Sequence, residues 1–124
     1  MGRMVVFRVV VSAADVANRL RVKARADASA AGARASQLRA KLSSATEILR
    51  AAGARRVWLF GSLASGMPHA MSDVDLAVDG LSSAAYFDVL ASLMTLFGTR
   101  VDLVTLEDAP GSLRERILES GQEL

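Results

Sequence analysis

Apolar and polar positions along the chain change period several times, and each change marks an element. Val57 to Phe60, Val74 to Val78 and Arg100 to Val104 are short runs rich in β-branched and apolar residues, bounded by glycine, serine or aspartate, which predicts strands. Met4 to Val11 has the same texture, with Arg8 interrupting it, and predicts an edge strand. From Ser12, an N-cap with Asp15 three residues on, the sequence stays helix-compatible to about Ala52. A single helix of that length would run about 60 Å, roughly twice the diameter of a domain this size. It must therefore break, with Gly32 as the expected point, or project and pack its first part on another chain. Val16, Leu20 and Val22 give that first part only a thin apolar stripe, whereas Leu38, Leu42, Ala45, Leu49 and Ala52 recur at helical spacing ahead of a capping Gly53.

Beyond the Asp79-Gly80 turn, Ser82 or Ser83 caps a helix whose Tyr86, Leu90, Leu93, Met94 and Phe97 form the expected apolar face, and Gly98 ends it. Leu106 to Gly111, with Pro110, reads as a loop. Ser112 and Glu115 have the spacing of a capping box opening a last short helix through Leu113, Ile117 and Leu118. The tail from Gly121 is expected to fray or to dock on a partner. A strand, helix, strand succession favours a crossover connection. The fold class is therefore α/β (α+β), a mixed central sheet with flanking helices, preceded by a strand and a long helical segment. Residues 1–35 are expected to be an extension and residues 36–124 the domain proper.

The chemistry concentrates between Val57 and Asp79. Asp73 and Asp75 are separated by one valine, so in an extended strand both carboxylates leave from one face while Val74, Leu76 and Val78 fill the other. Aspartate is disfavoured inside strands, and two like charges held side by side call for a cation or a proton between them. Mg²⁺ suits such a pair, because it takes one or two carboxylates together with phosphate oxygens and water. Gly61 directly follows a strand, where it permits a sharp turn and close approach of a ligand. The following N–H groups and the Ser62 hydroxyl can donate to phosphate oxygens. Arg55 and Arg56 at a strand start read as solvent-facing, Trp58 as a packing residue, and His69 as an exposed loop histidine.

Gly61-Ser62, a ten-residue gap and Asp73-Val74-Asp75 resemble the signature of the polymerase-beta-type nucleotidyltransferases, and the short chain is similar to their minimal (MNT) branch. The resemblance extends from about Leu38 to Leu124. It implies the nucleotidyltransferase fold and a third carboxylate from a later strand, a position that Asp102 fits. It further implies that Asp73, Asp75 and Asp102 hold Mg²⁺, as two ions, and that Gly61 and Ser62 orient the phosphates of a nucleoside triphosphate, ATP. The implied reaction moves AMP from ATP to a hydroxyl. The implied context is an antitoxin acting on a HEPN-type toxin partner by adenylylating a tyrosine. A non-catalytic toxin-binding protein of the same fold and a small-molecule (antibiotic) nucleotidyltransferase are the alternatives. Family members often carry a basic residue after the Gly-Ser-x-Ala run, where this chain has Ser65, a departure that bears on turnover more than on fold.

Composition narrows the rest. At 124 residues the chain has room for one core. It has no cysteine, hence no disulfide or thiolate metal site, which fits a reducing compartment. No apolar run approaches the roughly 20 residues that span a bilayer, and Met4 to Val11 is too short for a signal peptide. A cytoplasmic protein without a membrane anchor is expected. The net charge of +2 conceals a split: residues 1–56 carry twelve of the fifteen lysines and arginines against three acids, or +9, and the remainder carries −7. With hardly any aromatic interleaving for base stacking, the basic half reads as a solvated helix face or a surface for an acidic protein, rather than as a nucleic-acid interface. Self-association of the chain stays open at this stage.

Overall fold

The computed structural model describes residues 12–65 and 74–124. The expected strand at Met4 to Val11, His69 and Asp73 lie outside the described residues. In chain order the elements are α1 (Ala13–Arg39), α2 (Leu42–Ala51), β1 (Arg56–Phe60), α3 (Gly61–Ser65), β2 (Val74–Asp79), α4 (Ser83–Phe97), β3 (Val101–Thr105), a 3-10 turn (Leu106–Asp108), α5 (Gly111–Ser120) and β4 (Gln122–Glu123). The sheet order is β3-β2-β1-β4. β1 runs antiparallel to both β2 and β4, and β3 runs parallel to β2 through the α4 crossover. This is the expected mixed sheet with flanking helices.

Alternation along the strands divides the core between the two faces of the sheet. Val57, Leu59, Val74, Leu76, Val78, Val101 and Leu103 bury one face against Ala45 and Leu49 of α2 and against Val89, Leu93 and Phe97 of α4. Trp58 and Ala77 occupy the other face with Leu106 and Ile117. Met94, expected on the apolar face of α4, is 42% exposed, and Val89 takes its place at 6%. The helical period admits either residue, and contact with the sheet selects Val89.

The long helical run breaks at Ala40-Lys41 and not at Gly32, through which α1 continues. A glycine in a helix costs about 1 kcal/mol relative to alanine and does not by itself stop it. Docking decides the position, because Leu38 closes α1 against the core while Ala45 and Leu49 turn onto the sheet. The Ser12 hydroxyl caps α1 by accepting from the Asp15 N–H at 3.1 Å. Gly53, at φ 107°, closes α2 as expected, its N–H donating to Arg50 O and that of Ala54 to Leu49 O, both at 3.0 Å. These are the two bonds of a Schellman ending. Ser82 caps α4 and Gly98 ends it in the left-handed conformation.

Three expectations for the C-terminal part change. Leu106–Asp108 forms a 3-10 turn within the expected loop. The Ser112–Glu115 capping box does not form: α5 starts at Gly111 behind Pro110 with no side-chain cap, and Leu118 is 49% exposed. Arg114 instead fastens this end, donating to Leu106 O at 2.8 Å and to Glu107 O at 3.1 Å. The tail does not fray. It returns as β4 along β1, with the Leu124 N–H on Val57 O at 2.9 Å and a two-pronged ion pair from Arg56 to Glu123. Arg56 also lies over the Trp58 ring at 4.5 Å, and Arg55 pairs with Asp79, so both arginines have structural work at the surface.

Candidate active site

Register across the sheet assembles the site. Phe60 of β1 pairs with Asp75 of β2, and Asp75 pairs with Asp102 of β3. Since partners in a ladder share a face, these three side chains form a row on the face opposite Val74, Leu76 and Val78, with neighbouring strands about 4.8 Å apart. Asp75 is half-buried and Asp102 exposed. The crossover through α4 therefore sets two carboxylates side by side that are separated by 27 positions in sequence.

Gly61 closes the row at the end of β1. Its φ is 74°, the left-handed region that favours glycine, and a Cβ there would fall onto Asp75 Oδ2 and within 2.9 Å of its Cγ. One oxygen of the Asp75 carboxylate thus reaches the bare backbone at Gly61, and both the turn and the space demand glycine. What reads in sequence as a turn and loop continues as the short helix α3, pinned by the fully buried Leu63 and by Arg39 of α1, which donates to Leu63 O at 2.5 Å. Ser62 is half-buried at its start. Ser65, where a basic residue was expected by resemblance, turns its hydroxyl onto Ser62 O at 2.9 Å.

Two cavities open on either side of the Phe60–Asp75 pair. One, of about 530 Å³, is lined by Gly61, Ser65, Asp75, Arg116 and Ser120; the other, of about 440 Å³, by Asp75, Asp102, Tyr86 and Leu113. Volumes of this size suit small ligands. The donor set fits Mg²⁺, which accepts one or two protein carboxylates and completes its shell from substrate and water. Among the described residues no three histidine, cysteine or acidic side chains converge. Asp75 and Asp102 make two, and Asp73, the third member expected from the sequence, lies outside the described residues. Arg116 and Ser120 are the cavity residues that sequence reasoning missed; one turn apart on α5, they flank Ile117, which packs against the sheet.

A mixed four-stranded sheet with a glycine-serine turn after its first strand and aspartates in register on the next two defines a nucleotidyltransferase-type domain. The chain belongs to the polymerase beta nucleotidyltransferase family, whose model matches residues 43–124, and to its minimal branch. It is similar to the protein adenylyltransferase MntA of Shewanella oneidensis, with 34% identity over 71 residues, 55% of this chain and 51% of that protein. The chain thus spans about half the length of the curated relative it matches. A solved structure of a protein inferred to be a minimal nucleotidyltransferase aligns with a TM-score of 0.66 at 31% identity, over 73% of this chain and 95% of the other. A toxin–antitoxin crystal structure with AMP-PNP aligns at 0.57 and 29% identity, over 63% and 67%.

Proposed function

We propose that this chain is a Mg²⁺-dependent nucleotidyltransferase that moves AMP from ATP to a hydroxyl on a HEPN-type toxin, acting as its antitoxin. The observation that carries the reading is the alignment of Asp75 with Asp102 on one sheet face, with the Asp75 carboxylate against Gly61. The adenylyltransferase and toxin–antitoxin relatives support the nucleotide and the partner. Asp73, Asp75 and Asp102 would hold the metal, which when bound neutralises triphosphate charge and lowers the pKa of the attacking hydroxyl. Gly61 and Ser62 would orient the β- and γ-phosphates. The acceptor oxygen then bonds to the α-phosphorus as its bond to the pyrophosphate oxygen breaks, pyrophosphate leaves, and Asp102 takes the hydroxyl proton on its way to solvent. Positioning and charge neutralisation supply most of such catalysis.

The test is incubation of the protein with α-labelled ATP, Mg²⁺ and the product of the neighbouring gene. Label is expected on the partner, and Asp102→Asn, at an exposed position, should reduce transfer by several orders of magnitude while leaving the melting temperature unchanged. Full transfer by Asp102→Asn would refute the assignment. A second reading, a non-catalytic toxin-binding protein of the same fold, is favoured by Ser65, which brings no charge to the cavity. It predicts tight association with the partner and no label.

A further inference from the structure

Of the three arginines in the second half of the chain, Arg114 is bonded to the carbonyls of Leu106 and Glu107, and Arg100 is engaged as well. Arg116 differs. No carboxylate or carbonyl among the described residues receives its guanidinium, yet it lines the 530 Å³ cavity with Gly61, Ser65 and Asp75. It is also held on a fixed element. One residue on, Ile117 is 1% exposed against Trp58 and Ala77, and a Cβ at Gly121 would run into Ile117 O and lie 3.4 Å from Leu59 O. The end of α5 is thereby pressed onto β1. Ser120, four residues after Arg116, completes the same wall, its hydroxyl donating to Arg116 O at 2.7 Å. The cavity therefore has a carboxylate on one wall and an unengaged guanidinium on another. A metal-bound polyphosphate needs both: carboxylates for the cation, and a planar multi-donor cation for the phosphate oxygens that the metal leaves unpaired.

The geometry points to Arg116 as a further residue that binds the β- and γ-phosphates beside Gly61 and Ser62, supplying from α5 the positive charge that Ser65 does not. This rests on the nucleotide site proposed above and adds to it a discrimination by phosphate number: Arg116 holds the tail of ATP and does not touch AMP. Titration calorimetry with Mg²⁺-ATP and with AMP separates the two ideas. In Arg116→Ala the Kd for Mg²⁺-ATP is expected to rise about tenfold or more, the lower part of the range for a charged hydrogen bond because the side chain is exposed, while that for AMP stays within twofold. Arg116→Gln, which keeps the side-chain stem, should behave as Arg116→Ala does. Unchanged Mg²⁺-ATP binding in these variants, or equal losses for ATP and AMP, would overturn the role of Arg116 and leave the nucleotide site standing. Absence of Mg²⁺-ATP binding by the unmodified protein would overturn both.

Discussion

The contact between Asp75 and Gly61 can be measured without any assumption about catalysis. Gly61→Ala meets two obstacles: a left-handed φ of 74°, which costs a non-glycine residue about 1 to 2 kcal/mol, and a Cβ placed on the Asp75 carboxylate. Relieving that overlap requires an off-rotamer Asp75 or a backbone shift, adding about 1 to 3 kcal/mol. The single variant should therefore lose about 2 to 5 kcal/mol. In an Asp75→Ala background only the residue-75 Cβ remains, 3.3 Å from the new methyl, a contact that small adjustments absorb. There the same glycine substitution should cost about 1 to 2 kcal/mol, the backbone component alone. Urea unfolding followed by the fluorescence of Trp58, the chain's one tryptophan and 3% exposed, reads both backgrounds on a buried probe next to the site. The double-mutant cycle should give a coupling of about 1 to 3 kcal/mol. Equal costs in the two backgrounds, to within about 0.5 kcal/mol, would mean that the carboxylate does not lie on the glycine, and the geometry of the proposed site would fall with it.

Two further outcomes follow from the periphery of the domain. The hydrogen bonds from Arg56 hold the Glu123 carboxyl below its ordinary value of 4.5, so this pair contributes stability above that pH and loses it as pH falls through the depressed value. Urea midpoints compared at pH 7 and at about pH 3 should thus fall further for the natural protein than for Glu123→Gln, and parallel curves would refute the linkage. Replacing the exposed Val16, Leu20 and Val22 by serine leaves Ala31, Ala35 and Leu38, which are buried, in place. This triple variant should unfold within about 1 kcal/mol of the unsubstituted protein, whereas a larger loss would place the first part of α1 in the folding core.

Features fixed locally were legible in the sequence. Gly53 and Gly98 end helices because only glycine enters the left-handed region cheaply, and Ser12 and Ser82 supply cap oxygens whatever the rest of the chain does. The break at Ala40-Lys41 was hidden because Leu38, Leu42, Ala45 and Leu49 keep helical spacing across it, with no glycine or proline at the bend. β4 was hidden for a different reason. Two polar residues have no period, and only the open edge of β1 and the reach of Arg56 make Gln122–Glu123 a strand. No spacing or motif in the sequence marks Arg116, and its relation to Gly61 and Asp75 exists only once α5 has folded back over the sheet.

The pairing of Asp75 with Asp102 depends most on events away from either residue. Side chains along a strand alternate faces, so sliding β3 by one residue would bury the Asp102 carboxylate and turn Val101 or Leu103 away from the core face. The hydrophobic pattern forbids that slip, since Val101 and Leu103 are 4% and 5% exposed against α4. Tyr86 of α4 adds a directional lock by donating its hydroxyl to Leu103 O at 2.6 Å. The crossover helix thus does more than cover the sheet: it sets the register of β3 against β2, and with it the separation of the two carboxylates. A carboxylate on an exposed edge strand can be positioned this way because the burial of its neighbours, rather than any bond to the carboxylate itself, determines which way it points.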